Sequence, residues 1–199
     1  MLNKTYGLVV CGGRSNRMGT DKSLLTYFEK PQRYHLYDLL KQFCEKVFIS
    51  CNAAQLPTIQ AGYGTITDLP EYTDIGPMAA PLSAFTLYPG KDILLIGCDY
   101  PFLSERDINN FINYCDGKSN AVSFCNKDDI YEPLLAWYPF HLSGTMKNKF
   151  AERQYSLQHF LRGSIALKYY PENPDNMISI DTYEQYLKVL EEINHEQPG

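Results

Sequence analysis

The chain has 199 residues, of which 44% are hydrophobic and 21% charged, so it has the composition of an ordinary globular protein that can enclose a ligand site. Its formal net charge of −5 argues against nucleic acid as the main partner. The apolar run near the N-terminus is too short for a secretion signal, and no stretch approaches the ~20 apolar residues of a membrane span. We therefore expect a cytoplasmic protein without membrane contact, with one domain over residues 1–193 and a frayed tail over 194–199.

Apolar runs and helix-length segments alternate along the chain. Runs rich in β-branched and aromatic residues predict strands at 6–10, 47–51, 93–97, 121–125, 134–138 and 165–170. The segments 34–45, 78–88, 105–114, 139–148, 157–161 and 183–193 are predicted helices, whereas 53–77 lacks a firm element. This alternation predicts an α/β fold, a three-layer α/β/α sandwich whose mostly parallel sheet is covered on both faces.

The six cysteines stand at positions 11, 44, 51, 98, 115 and 125, mostly within or beside apolar runs. They form no C-x-x-C pair, and no histidine stands at metal-ligand spacing from them. This pattern favours reduced thiols that pack as small hydrophobic side chains over disulfides or a zinc site.

The stretch LVVCGGRSNRMGTDKSLL, residues 8–25, places two glycines and several cations directly after the first predicted strand. Gly12 and Gly13 would lie at the carboxyl edge of the sheet, where open α/β folds bind ligands. The glycine spacing fits neither the dinucleotide-binding nor the P-loop pattern. Arg14, Arg17 and Lys22 could bind the phosphates of a triphosphate, and the alternative is that they are surface cations on a glycine turn.

This stretch resembles the G-G-x-S-x-R-M-G-x-D-K-x-x-L signature of MobA-like nucleotidyltransferases. Six later segments resemble that family in the same order: ISCN at 49–52, Asp68 followed by GPMA at 76–79, LIGCDYPFL at 95–103, EPLLAWY at 132–138, Ser156-Leu157 with Leu161, and IDTYE at 180–184. The resemblance implies a Rossmann-like fold of the nucleotide-diphospho-sugar transferase type. It also implies the transfer of GMP from GTP to the phosphate of the molybdopterin cofactor, with release of pyrophosphate.

The resemblance implies Mg²⁺ as the cofactor, and it implies candidate protein partners among cofactor-biosynthesis proteins and molybdoenzyme chaperones. The catalytic residues that it implies are Arg17, Lys22 and Asp99, with Asp99 as the metal ligand. The implied nucleotide-binding residues are Val10, Cys11, Gly12, Gly13, Gly19, Lys22, Asn52, Asp68 and Asp99.

Alternatives remain open for individual residues and for the base. Asp99 stands before a proline and could be a turn former, and Asp68 could be a solvated loop carboxylate. By resemblance, Gly12 and Gly13 favour guanine as the base of the nucleotide. The competing functions are a cytidylyltransferase, a sugar-phosphate nucleotidylyltransferase and a catalytically silent GTP-binding module. The chain departs from the family pattern at Cys11, Ala80 and Asp181, and the last adds a negative charge near the acceptor region.

Overall fold

The computed structural model describes residues 4–11 and 21–196, with side chains as far as residue 193. Within those residues there are seven strands: β1 Thr5–Val10, β2 Lys46–Cys51, β3 Thr65–Thr67, β4 Asp92–Gly97, β5 Val122–Cys125, β6 Tyr131–Tyr138 and β7 Leu167–Tyr169. The α-helices there are α1 Gln32–Leu40, α2 Ala79–Leu87, α3 Glu105–Cys115, α4 Ser143–Ala151, α5 Leu157–Gly163 and α6 Tyr183–Glu196.

The strands form one twisted sheet in the order β3-β2-β1-β4-β6-β5-β7. Neighbouring strands are parallel except where β6 pairs, since β6 runs antiparallel to both β4 and β5. The predicted mostly parallel sheet is therefore confirmed, with one strand of opposite direction.

Hydrophobic side chains cover both faces of the sheet, as a parallel sheet requires. On one face, Leu8 and Leu95 pack with Leu82 of α2 and Leu161 of α5. The other face carries the alternate strand residues, such as Val9, Leu94 and Ile96, which pack with Leu36 of α1 and Phe111 of α3. This alternation confirms the three-layer sandwich.

Most observed elements overlap the predicted ones with shifted ends, for example β6, which begins at Tyr131 rather than at residue 134, and β7, which covers only Leu167–Tyr169; four further differences have an evident cause. The segment 53–77 contains β3, a strand of three residues that is too short to leave a periodic pattern. Helix α1 ends at Leu40 rather than at residue 45, because residues 41–45 turn back to the sheet and the Glu45 N–H donates to the Thr5 carbonyl. A 3₁₀ turn at Phe140–Leu142 precedes α4, which shifts that helix toward the C-terminus. Helix α6 continues to Glu196, beyond the predicted end at residue 193.

A smaller hydrophobic cluster positions the C-terminal part of the chain over the segment that follows residue 20. Leu25 and Tyr27 pack with Ile180 and with Val189 of α6. This packing brings residues 179–181 beside Lys22 and the end of β4. No helix in the described part of the chain combines the length and apolar character needed to span a bilayer.

Candidate active site

The candidate site lies at the carboxyl ends of β1 and β4, which are parallel neighbours at the centre of the sheet. From β1 the chain proceeds to β2 and β3 on one side, and it then crosses to β4 and the remaining strands on the other side. Such a switch in strand order opens a crevice at the carboxyl edge, and ligands of open α/β sheets bind there. The two strands are in register at Val10 and Gly97, so Cys11 and Cys98 flank the crevice, with their sulfur atoms 3.3 Å apart.

Much of the glycine-rich stretch lies outside the described residues, including Gly12, Gly13, Arg17 and Gly19. The structure nevertheless places the residues on either side of it. The Gln55 Nε2 group donates to the Cys11 carbonyl at 3.1 Å and to Asp21 Oδ2 at 2.8 Å. One side chain thus connects the residue before the stretch with the residue after it.

Asp21 also begins the turn that presents Lys22. Its Oδ1 atom accepts from the Ser23 backbone N–H at 3.0 Å and from the Ser23 hydroxyl at 2.8 Å, so it caps the 3₁₀ helix Lys22–Leu24. A side-chain cap of this kind satisfies backbone donors that a helix start leaves free. The turn fixes the backbone from which the Lys22 side chain extends.

Lys22 forms an ion pair with Asp181, with 2.7 Å between Nζ and Oδ1. The lysine side chain is 22% exposed and that of Asp181 is 53% exposed, so the pair lies at the rim of the site. The segment 179–181 reaches this position because the Ile180 N–H donates to the Asp99 carbonyl at 2.8 Å. Lys22 is therefore close to the end of β4.

The Asp99 carboxylate is held from one side only. Its Oδ2 atom accepts from the Ser179 hydroxyl at 3.0 Å, whereas Oδ1 is buried and has no hydrogen-bond partner among the described residues. Burial raises the pKa of Asp99, and the Ser179 hydrogen bond and the Lys22 charge act in the opposite direction. A buried carboxylate oxygen without a donor fits a bound cation, since Mg²⁺ takes oxygen ligands.

Gly97 makes room for this carboxylate. A Cβ atom at position 97 would lie 2.5 Å from Asp99 Oδ1, closer than side chains approach one another. In the described ranges, no three histidine, cysteine, aspartate or glutamate side chains are grouped so that they could hold a metal ion by themselves. Any metal at Asp99 would therefore need ligands from elsewhere, such as the phosphates of a nucleotide.

Asp68 and Asn52 lie on the β1–β3 side of the crevice. Asp68 directly follows β3, and burial raises its pKa. The Asn52 Oδ1 atom accepts from the Gln55 N–H at 2.9 Å and the Gln55 Oε1 atom accepts from the Asn52 N–H at 3.1 Å, so the two side chains brace a turn. Within residues 4–11 and 21–193, the contacts of Asn52 with Gln55 use its backbone N–H and its Oδ1 atom and leave the amide nitrogen for a ligand.

The sequence reasoning missed two residues that shape the site, Gln55 and Ser179, which carry no motif that would single them out. It named Asp181 as a departure from the family pattern but not as the partner of Lys22. Their contacts join segments that are far apart in the chain, so no local spacing could have revealed them.

Comparison with known proteins places the chain among nucleotidyltransferases. The family model described as "MobA-like NTP transferase domain" matches residues 7–166. The molybdenum cofactor biosynthesis bifunctional protein of Synechocystis sp. is 36% identical over 135 residues, which cover 67% of this chain but only 38% of that longer protein.

Two further relatives match over nearly their whole length. The molybdenum cofactor guanylyltransferase of Campylobacter jejuni subsp. doylei is 25% identical over 194 residues, covering 96% of this chain and 98% of that protein. The crystal structure of molybdopterin-guanine dinucleotide biosynthesis protein A from Archaeoglobus fulgidus superposes with a TM-score of 0.76 at 18% identity, covering 96% of this chain and all of that one (100%). At that identity the superposition establishes a common fold.

Proposed function

Because the chain belongs to the MobA-like NTP transferase family, we propose that it transfers GMP from GTP to the terminal phosphate of the molybdopterin cofactor and releases pyrophosphate. The observation that carries the proposal is that one segment, residues 179–181, contacts both Lys22 and Asp99 at the switch-point crevice. The relative from Campylobacter jejuni, which matches over nearly the whole chain, supports guanine as the base and molybdopterin as the acceptor.

Lys22 would neutralise the charge that develops on the α-phosphate and on the departing pyrophosphate. Such a fixed charge in a site that excludes water is among the largest contributions to catalysis. Arg17, outside the described residues, would bind two phosphate oxygens through its planar guanidinium group. In this reaction the protein mainly positions the groups and neutralises their charge, because the triphosphate itself contains the leaving group.

Asp99 is the residue that would hold Mg²⁺, through the Oδ1 atom that has no donor among the described residues. A bound Mg²⁺ supplies charge neutralisation and orientation of phosphate oxygens. Ser179 keeps the carboxylate in place from its other oxygen.

The nucleotide would lie on the β1–β3 side of the crevice. The backbones of Val10 and Cys11 approach it at the end of β1, and the stretch Gly12–Gly19 would wrap its phosphates. Asn52 and Asp68 would contact the base or the ribose, because they follow β2 and β3 at the same edge.

The test is pyrophosphate release in the presence of Mg²⁺ and molybdopterin, with GTP, CTP, ATP and UTP compared in separate reactions. We expect release with GTP that disappears when the acceptor is omitted. Release with CTP instead would contradict the assignment of the base while preserving the reaction class. Nucleotide binding without release from any of the four would indicate a silent binding module.

A further inference from the structure

A cleft of about 340 Å³ is lined by Tyr100, the residue after Asp99, and by the first residues of β6, which pairs with β4 on the side away from β1. We call it the Glu132 cleft, and its lining includes Tyr100, Glu132, Pro133, Tyr155, Ser156 and Gln158. Tyr100 directly follows Asp99, and β6 runs antiparallel to β4, so its first residues return to the same edge of the sheet. One lining residue, Tyr100, is thus the chain neighbour of the proposed metal ligand, whereas Asn52 and Asp68 follow β2 and β3, which lie on the other side of β1 from β4; Pro77 also lines the cleft.

The Glu132 carboxylate is fixed within this cleft. The Tyr100 hydroxyl donates to Oε2 at 3.0 Å, and the Asn126 amide donates to Oε1 at 2.9 Å. In the part of the chain that the structure describes, each oxygen accepts one hydrogen bond, and an ionised carboxylate can accept about four, so each can accept another. Two parallel N–H donors from a ligand could therefore bind to it side by side.

Gln158 adds a further donor to the cleft. Its Nε2 atom is buried and makes no hydrogen bond to any of the described residues. Buried donors in folded proteins are almost always paired, so an unpaired one in the wall of a cleft indicates where a ligand acceptor would lie. The rings of Tyr155 and Pro133 contribute apolar surface to the same wall.

We infer that the Glu132 cleft binds the pterin ring of the acceptor through its 2-amino-4-oxo edge. Glu132 accepts from the exocyclic amino group and the adjacent ring N–H, and Gln158 donates to an acceptor atom of the ring. This assignment rests on the proposed function, since it identifies how that same site recognises its acceptor. Guanine presents the same edge. The cleft lies at β4 and β6, whereas Asn52 and Asp68, the proposed nucleotide contacts, follow β2 and β3, so the position of the cleft favours the pterin.

Direct binding of a fluorescent pterin, 6-hydroxymethylpterin phosphate, tests this inference without any transfer reaction. The native protein should bind the probe, and Glu132→Gln should weaken binding about tenfold or more, since it replaces an acceptor by a donor against the ring N–H groups. Gln158→Leu and Tyr100→Phe should weaken it less. Glu191→Gln, at an exposed position on α6, is the matched control and should bind like the native protein.

A second arm uses guanosine monophosphate as the probe. The inference requires that Glu132→Gln leaves binding of this nucleotide unchanged. A loss of nucleotide binding without a loss of pterin binding would overturn the inference and assign the cleft to the guanine base. Failure of the native protein to bind the pterin, or equal pterin binding by all variants, would overturn it as well.

The two proposals fail in different ways. A protein that binds the pterin through Glu132 but transfers no GMP would contradict the proposed function alone. Should Glu132→Gln not fold, as judged by thermal unfolding, Tyr100→Phe decides the matter, because it removes only one hydrogen bond to the carboxylate.

Discussion

Lys22 Nζ and Asp181 Oδ1 form an ion pair at 2.7 Å although the two residues are 159 positions apart in the sequence. The pair links the turn that follows the glycine-rich stretch to the segment before α6. It means that the proposed phosphate-binding lysine already has an anionic partner before a nucleotide enters the site. A bound triphosphate would compete with Asp181 for the ammonium group.

Asp181→Asn should therefore increase the affinity for GTP. Ion pairs at the surface contribute about 0.2–1 kcal/mol, so we expect the dissociation constant of GTP to fall by about 1.5- to fivefold. Calorimetric titration with GTP measures this change. Asp175→Asn is the control, because Asp175 pairs with Lys127 in an exposed ion pair elsewhere. Weaker GTP binding by Asp181→Asn would show that Asp181 holds the lysine in its binding position instead.

Lys22→Ala should lower turnover much more than it lowers affinity for GTP, because the lysine is proposed to act on charge that develops in the transition state. Removing one such donor typically costs about 10²- to 10³-fold in kcat. Steady-state kinetics with varied GTP separate kcat from KM. Lys127→Ala serves as the control for loss of a surface lysine. Equal losses in kcat and in GTP affinity would restrict Lys22 to binding.

Gly97→Ala should raise the Mg²⁺ concentration needed for activity. The added methyl group would lie 2.5 Å from Asp99 Oδ1, so the carboxylate must move away from its present position. Asp99→Asn should have the larger effect in the same magnesium titration. Gly144→Ala in α4, where the new Cβ meets open space, is the matched control. If the magnesium titration of Gly97→Ala coincides with that of the native protein, Asp99 Oδ1 is not a metal ligand.

Asp99→Asn should also stabilise the protein when metal and nucleotide are absent. Burial raises the pKa of Asp99 in the folded state, so the folded protein holds this proton more tightly than the unfolded chain does. The contribution of this group to stability is therefore present below the ordinary aspartate pKa and is lost as the pH rises through the raised value. Asparagine has no charge to bury at any pH, so Asp99→Asn avoids this loss of stability.

Thermal unfolding at pH 7 should accordingly show a Tm that is a few degrees higher for Asp99→Asn than for the native protein, with a smaller difference in acid. Asp128→Asn, at an exposed turn, should leave Tm unchanged. A lower Tm for Asp99→Asn at pH 7 would mean that the ionised carboxylate stabilises the fold.

Gln55→Ala should weaken nucleotide binding without unfolding the protein. It removes the side chain that donates to both the Cys11 carbonyl and Asp21, and these two residues flank the proposed phosphate-binding stretch. We expect KM for GTP to rise about tenfold, because the variant loses two hydrogen bonds that hold the ends of this stretch. Gln42→Ala, at an exposed position between α1 and β2, is the control for loss of a glutamine away from the site. An unchanged KM for GTP would show that Gln55 does not contribute to nucleotide binding.

The central strands were predictable from the sequence because burial on both faces requires continuous apolar runs, as in β1 and β4. The direction of β6 was not predictable, since an apolar run has the same composition in either direction. Asp99 could be placed at the sheet edge because it follows a strand end. Three contacts were not predictable: Lys22 with Asp181, Gln55 with Cys11, and Ser179 with Asp99. They join segments that are distant in the sequence, and no local pattern indicates such contacts.

Identification of the product tests the central claim most directly. The purified protein would be incubated with GTP, Mg²⁺ and molybdopterin, and the product would be analysed by mass spectrometry, with CTP in a parallel reaction. The account predicts a dinucleotide cofactor whose mass corresponds to molybdopterin joined to one GMP, together with an equal amount of pyrophosphate. A product that contains CMP, or unmodified molybdopterin after incubation with GTP, would contradict it.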